Sequence, residues 1–144
     1  MKLFTIGFTQ KPAEEFFTLL QHSAATSLID VRLNNVSQLS GFAKRDDLAF
    51  LLEQLCDMTY RHEPLLAPSQ DLLTQYRKKQ LTWHDYEVEF LKLITSRQVE
   101  HALEPALFDN AVLLCSEHQP NHCHRRLAAE YLADSWPHVQ ITHL

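Results

Sequence analysis

With 144 residues, 45% of them hydrophobic and 22% charged, the chain is the length of one domain that buries about two thirds of the surface its unfolded form exposes. Its formal charge of -5 argues against direct nucleic-acid binding by bulk electrostatics and leaves only Lys44-Arg45, Arg77-Lys78-Lys79 and Arg125-Arg126 as local basic clusters. The two glycines, Gly7 and Gly41, cannot supply a Walker loop or a dinucleotide fingerprint, which disfavours NAD, FAD and P-loop nucleotide chemistry.

Leu3 to Phe8 is a short apolar run closed by Gly7-Phe8-Thr9, and it reads as a first strand. Pro12 suits a first helical turn, and Phe16, Phe17, Leu19 and Leu20 recur at helical spacing, so a helix is predicted from Pro12 to His22. Thr26 to Val31 returns to a strand that ends in Asp30-Val31-Arg32; with a period of two, Asp30 and Arg32 share one side. Leu33 to Phe42 reads as a surface loop.

Asp46 or Asp47 can cap a helix through Leu48, Leu51, Leu52 and Leu55, after which Met58 to His62 forms a weaker strand stopped by Glu63-Pro64. Two helices follow, Ser69 to Lys79 and Thr82 to roughly Leu103, the second stopped by Pro105. Ala111 to Cys115 is an interior strand, and Asn121 can cap a helix whose stripe is Leu127, Ala128, Tyr131 and Leu132. Pro137 ends that helix, and Val139 to His143 alternates as a closing edge strand.

The alternation, free of linkers and repeats, predicts a single α/β domain over residues 1–144: three αβα layers around a mostly parallel five-stranded sheet in the order 3-2-1-4-5. That order sets the carboxyl ends of the first, second and fourth strands side by side, with the switch point between strands one and four. The stretch Ala111 to Leu132 delivers Cys115, Glu117, His118, His122, Cys123, His124, Arg125 and Arg126 to that end of the sheet.

Four blocks, Thr5-Ile6-Gly7, Asp30-Val31-Arg32, Tyr60-Arg61-His62 and Cys115-Ser116-Glu117 followed by Cys123-His124-Arg125, resemble the signature of the family filed as domain of unknown function 488. They occur in its order and at its spacing over nearly the whole chain. The chain resembles a branch reading like TIGFTQKPAEEFF with RLNNVSQLSGF after the second strand; Phe8-Thr9 stands where many branches carry His-Ser, and Leu66-Ala67-Pro68 replaces a Leu-Gly-Gly segment. The resemblance implies an α/β fold and a shared site, and it names no reaction.

Among the site residues, Cys123 reads either as a thiolate near a helix N-terminus or as a packed core residue, and Cys115 ends a buried strand. Counting onward from either cysteine finds Asn121 or Ala129 where a phosphatase or sulfurtransferase loop requires arginine. Arg32 and Arg125 can instead converge as clamps on one carboxylate or phosphate, unless Arg32 is taken up by Asp30 or Glu117. Arg126 pairs with Glu130, four residues on. Glu117, His62 and His124 are acid/base candidates, and Gly7, Thr9, Asp30 and Cys115 are further ligand-contacting positions at the strand ends. His118 and His122 are expected to face solvent.

Cys115, His118, His122, Cys123 and His124 could supply metal ligands, yet no Cys-x-x-Cys knuckle exists and neighbouring loop residues alternate in direction. Neither a metal site nor a cofactor is therefore expected. The three cysteines have no framework spacing and fit a reducing compartment, the opening apolar run is too short for a signal peptide, and no segment approaches about 20 apolar residues. A cytoplasmic protein with no membrane partner is expected; oligomeric state is left open. The leading functional expectation is a pocket for a small anionic ligand, phosphorylated or carboxylated, with hydrolase- or transferase-like acid/base chemistry. The alternative is a non-catalytic module that senses a ligand or docks a partner, including nucleic acid handed over by another protein.

Overall fold

Period-two alternation along the strands gives the sheet two apolar faces, and each is covered by its own set of helices. The computed structural model describes residues 1–36, 41–117 and 120–144. Among these, the strands are β1 (Lys2–Gly7), β2 (Ser27–Asp30), β3 (Thr59–His62), β4 (Ala111–Cys115) and β5 (Gln140–His143). The α-helices are α1 (Ala13–His22), α2 (Arg45–Cys56), α3 (Gln70–Arg77), α4 (Trp83–Ser96), α5 (Val99–Ala102) and α6 (His124–Ser135).

On one face Phe4, Ile6, Leu28, Val112 and Leu114 pack with Phe16, Phe17 and Leu20 of α1 and Leu48 and Leu52 of α2. On the other, Leu3, Ile29, Leu113 and Cys115 pack with Phe90 and Ile94 of α4, Val99 of α5 and Leu127 and Ala128 of α6. The fold is α/β in three layers, as the alternation of elements predicts. All strand pairs are parallel.

The strand order is β3-β2-β4-β1-β5, which corrects the predicted 3-2-1-4-5. β4 lies between β2 and β1, with Leu113 opposite both Ile29 and Thr5. Ala111–Cys115 is buried at every position, which suits the strand with two neighbours and two covered faces. After β1 and β2 the chain leaves toward the α1/α2 face, and after β4 it leaves toward the α6 face, so β4 meets an opposite departure on both sides, at β1 as expected and at β2 as well.

Local chemistry explains the other departures. Thr82 caps α4 by accepting from the Asp85 amide at 3.1 Å, and the helix ends at Ser96 rather than near Leu103. Gln98 takes a left-handed conformation (φ 51°), and the preceding Arg97 donates from Nη1 to the Leu65 and Ala67 carbonyls at 2.9 and 2.6 Å. α2 starts at Arg45 after Lys44, with Asp46 and Asp47 in its first turn rather than at its cap. The cap of α6 is Cys123, not Asn121, so Cys123 sits one step outside the helix in extended conformation. The predicted surface loop from Leu33 to Phe42 lies partly outside the described residues, as does His118.

Candidate functional site

The direction of β4 decides where its last side chain goes. Cys115 follows Ala111 and Leu113 on the face covered by α4 and α6, and α6 begins directly above it. His124, the first residue of α6, is turned back toward the sheet, with its ring 5.3 Å from that of Phe90. Its Nε2 donates to the Val31 carbonyl at 2.7 Å; a carbonyl only accepts, so Nε2 carries a proton, and Nδ1 meets Cys115 Sγ at 3.4 Å. Cys123 completes the group: the donor atoms of Cys115, Cys123 and His124 all lie within 4.8 Å of one another, and all three residues are buried.

These groups polarise one another. Burial alone would raise the Cys115 thiol, but the hydrogen bond from Cys123, the charge and hydrogen bond of His124 and the charge of Arg125 outweigh it and hold it well below its ordinary value. Burial and the neighbouring Cys115 push Cys123 well above its own.

A cavity of about 300 Å³ opens beside the cluster at the β2/β4 crevice. Cys115, Cys123 and His124 lie at its floor, Arg32 and Leu33 follow β2 on one side, and Glu117 sits exposed at the rim. The opposite wall is aromatic: Trp83 stacks on Tyr86 at 5.2 Å and on His122 at 5.1 Å, and Tyr76 meets Tyr86 at 4.8 Å. Sequence reasoning missed this wall; the crowding of Tyr76, Trp83 and Tyr86 into residues 76–86 was the available signal. His122 is exposed as expected, and it also lines the cavity.

Arg32 is 4% exposed and locked to Asp30, which accepts from Nε at 2.8 Å and from Nη2 at 2.7 Å. The Asp30 carboxylate also accepts from Tyr60 Oη at 2.6 Å, and the guanidinium lies 5.3 Å over the Phe8 ring. The remaining nitrogen, Nη1, is buried and has no hydrogen-bond partner among the described residues.

Several predicted site residues serve the frame instead. Arg125 is fully buried, donates to the Glu117 backbone carbonyl and to Thr5 Oγ1, and is not part of the cavity lining, so the expected Arg32–Arg125 pair of clamps does not form around it. Gly7 makes room for this arrangement, because a Cβ there would collide with the Glu117 carbonyl and the Arg125 guanidinium. The Thr9 amide donates to the Ser116 carbonyl at 2.9 Å, tying the loop after β1 to the one after β4. His62 Nε2 donates to the Arg32 carbonyl at 2.7 Å and also stands outside the lining. Arg126 reaches Glu130 at 3.1 Å, as its spacing predicts, and Glu87 at 3.6 Å.

Spacing along the chain disfavours a metal site, yet the donor atoms of Cys115, Cys123 and His124 converge. Residues of one loop do alternate, but Cys115 leaves a strand and Cys123 and His124 enter a helix, so their directions are set by different elements and converge.

A family model described as a domain of unknown function, DUF488, matches residues 12–132, which takes in Asp30-Val31-Arg32, the cysteines and the start of α6. The chain belongs to the DUF488 family. Comparison with curated proteins and with solved structures finds no match. Among the described residues of this DUF488 protein, no helix is long and apolar enough to cross a membrane.

Proposed function

We propose that the cavity between β2 and β4 binds a small organic anion, carboxylated or phosphorylated, and carries out hydrolase- or transferase-like chemistry on it. The observation behind this reading is Arg32 Nη1, a buried donor at the cavity wall without a partner among the described residues. Leaving such a donor unpaired costs about 1–3 kcal/mol, which a ligand oxygen recovers. Asp30 neutralises the rest of the guanidinium, so Nη1 acts as a directed donor, with Arg77 at the lining as the further cation. The planar faces of Trp83 and Tyr76 suit an apolar body on the ligand. Glu117 at the rim serves as the acid/base group, and Cys115, Cys123 and His124 at the floor face the reacting end. The free cysteines fit work in a reducing compartment such as the cytoplasm.

The test is a thermal-shift and turnover screen of the full chain against a panel of small carboxylates and phosphate esters. Expected is a ligand whose stabilisation shrinks in both Arg32→Lys, which keeps the charge but removes Nη1, and Trp83→Ala, which leaves the Asp30 pair intact. Turnover abolished in Glu117→Gln with binding retained identifies an enzyme. Binding without turnover across the panel identifies a sensing module, and a ligand indifferent to both variants overturns the site.

A further inference from the structure

We propose that Cys115, Cys123 and His124 form a binding site for a divalent transition metal of the zinc class, with one coordination position open to the cavity. The donor set is two sulfurs and one imidazole nitrogen, the soft and borderline ligands that select zinc or cobalt over magnesium or calcium. Tetrahedral zinc, with bonds of about 2.3 Å to sulfur and about 2.0 Å to nitrogen, sets such donors roughly 3.5–3.8 Å apart. The Cys115 Sγ to His124 Nδ1 distance of 3.4 Å fits that edge, and Cys123 lies within the same 4.8 Å group.

The imidazole is also held as a ligand requires. The hydrogen bond from Nε2 to the Val31 carbonyl keeps the proton of the neutral ring on Nε2, which leaves Nδ1 as the nitrogen free to coordinate beside the two sulfurs; a backbone carbonyl on the far nitrogen is a recurrent support for metal-bound histidine. The three donors come from rigid positions, the end of central β4, the cap of α6 and its first turn, so little ordering remains to be done on binding. On coordination the thiol protons leave to solvent, and the two thiolates balance the charge of the ion.

All three ligands line the cavity, which leaves the fourth position facing it. A three-ligand site of this kind keeps water or substrate in the open position, and the metal would supply Lewis acidity there. Arg32 plays no part in coordination, so the metal site stands or falls separately from the anion reading.

The experiment is a cobalt titration of the reduced, chelator-stripped full chain with no organic ligand added. Expected are one equivalent bound per chain, thiolate-to-cobalt charge-transfer absorption with visible bands of four-coordinate intensity, and their loss on adding zinc. Cys123→Ser and His124→Gln should each abolish the stoichiometric spectrum, whereas Cys56→Ser should leave it intact; circular dichroism reports whether each variant is folded. Weak, six-coordinate-type absorption in folded wild type overturns the proposal. So does a spectrum unchanged in folded Cys123→Ser, or a Cys115–Cys123 disulfide forming under mild oxidant in a chain that takes up no cobalt. Arg32→Lys should bind cobalt normally, so losing the anion with the metal retained refers only to the ligand reading.

Discussion

Asp30 grips Arg32 through two parallel hydrogen bonds, 2.8 Å to Nε and 2.7 Å to Nη2, in a pair almost closed to solvent. Buried charge is tolerable here because the two charges neutralise each other and Tyr60 adds a further donor to the Asp30 carboxylate. Asp30→Asn should therefore cost about 3–5 kcal/mol, since it leaves a guanidinium buried without its counter-charge. Replacing both residues by apolar ones of similar volume should recover most of that loss. Urea denaturation of the single and double variants checks this, and a double variant no more stable than Asp30→Asn would show that the pair is not the source of the cost.

The two glycines make an internal control. At Gly7 a Cβ meets the Glu117 carbonyl and the Arg125 guanidinium, whereas at Gly41 nothing lies within 4 Å. Gly7→Ala should destabilise by about 1–3 kcal/mol through overpacking, and Gly41→Ala should be near neutral. Equal midpoints for the two in denaturant would contradict the contact.

Tyr60 gives the chain an alkaline limit. Burial, then its hydrogen bond to Asp30 and the carboxylate charge, push the phenol far above its ordinary value. The folded state thus prefers the neutral phenol. Its stabilising effect is fully present below the unfolded pKa near 10 and is lost as pH rises through the folded one. The other three tyrosines shift in the same direction, so tyrosinate absorbance should appear together with unfolding rather than before it. Tyr60→Phe should cost about 1 kcal/mol at neutral pH, the bond being only half-buried, and should flatten the alkaline decline.

Thiol accessibility separates the three cysteines. Cys123 and Cys115 are 1% and 4% exposed, while Cys56 at the end of α2 is half-buried. A bulky maleimide applied briefly to the native chain should modify Cys56 first, with the other two reacting after unfolding. Peptide mass spectrometry reports the order.

Much of the fold was legible because its signals are local. The apolar run Ala111–Cys115, the helix starts at Ser69 and Thr82, and the same-side placement of Asp30 and Arg32 all follow from neighbouring residues. The position of β4 between β2 and β1 was not, since pairing partners are chosen by burial across the whole sheet. The same limit hid the cluster. Seven residues separate Cys115 from Cys123, and only the strand end and helix start that hold them bring their sulfurs together. Arg125 was misread for a related reason: its sequence position is right for the cavity, but the space left by Gly7 draws its guanidinium to the Glu117 carbonyl.

Because β4 is paired on both sides and buried at every position, its amides should be among the last in the chain to exchange with solvent. α3 has the opposite standing: eight residues long, it anchors through Leu72 and carries Tyr76 over the cavity. Parting α3 from α4 would uncover the aromatic wall while every donor on the floor keeps its place. The mouth of the cavity is therefore mechanically decoupled from the atoms at its floor.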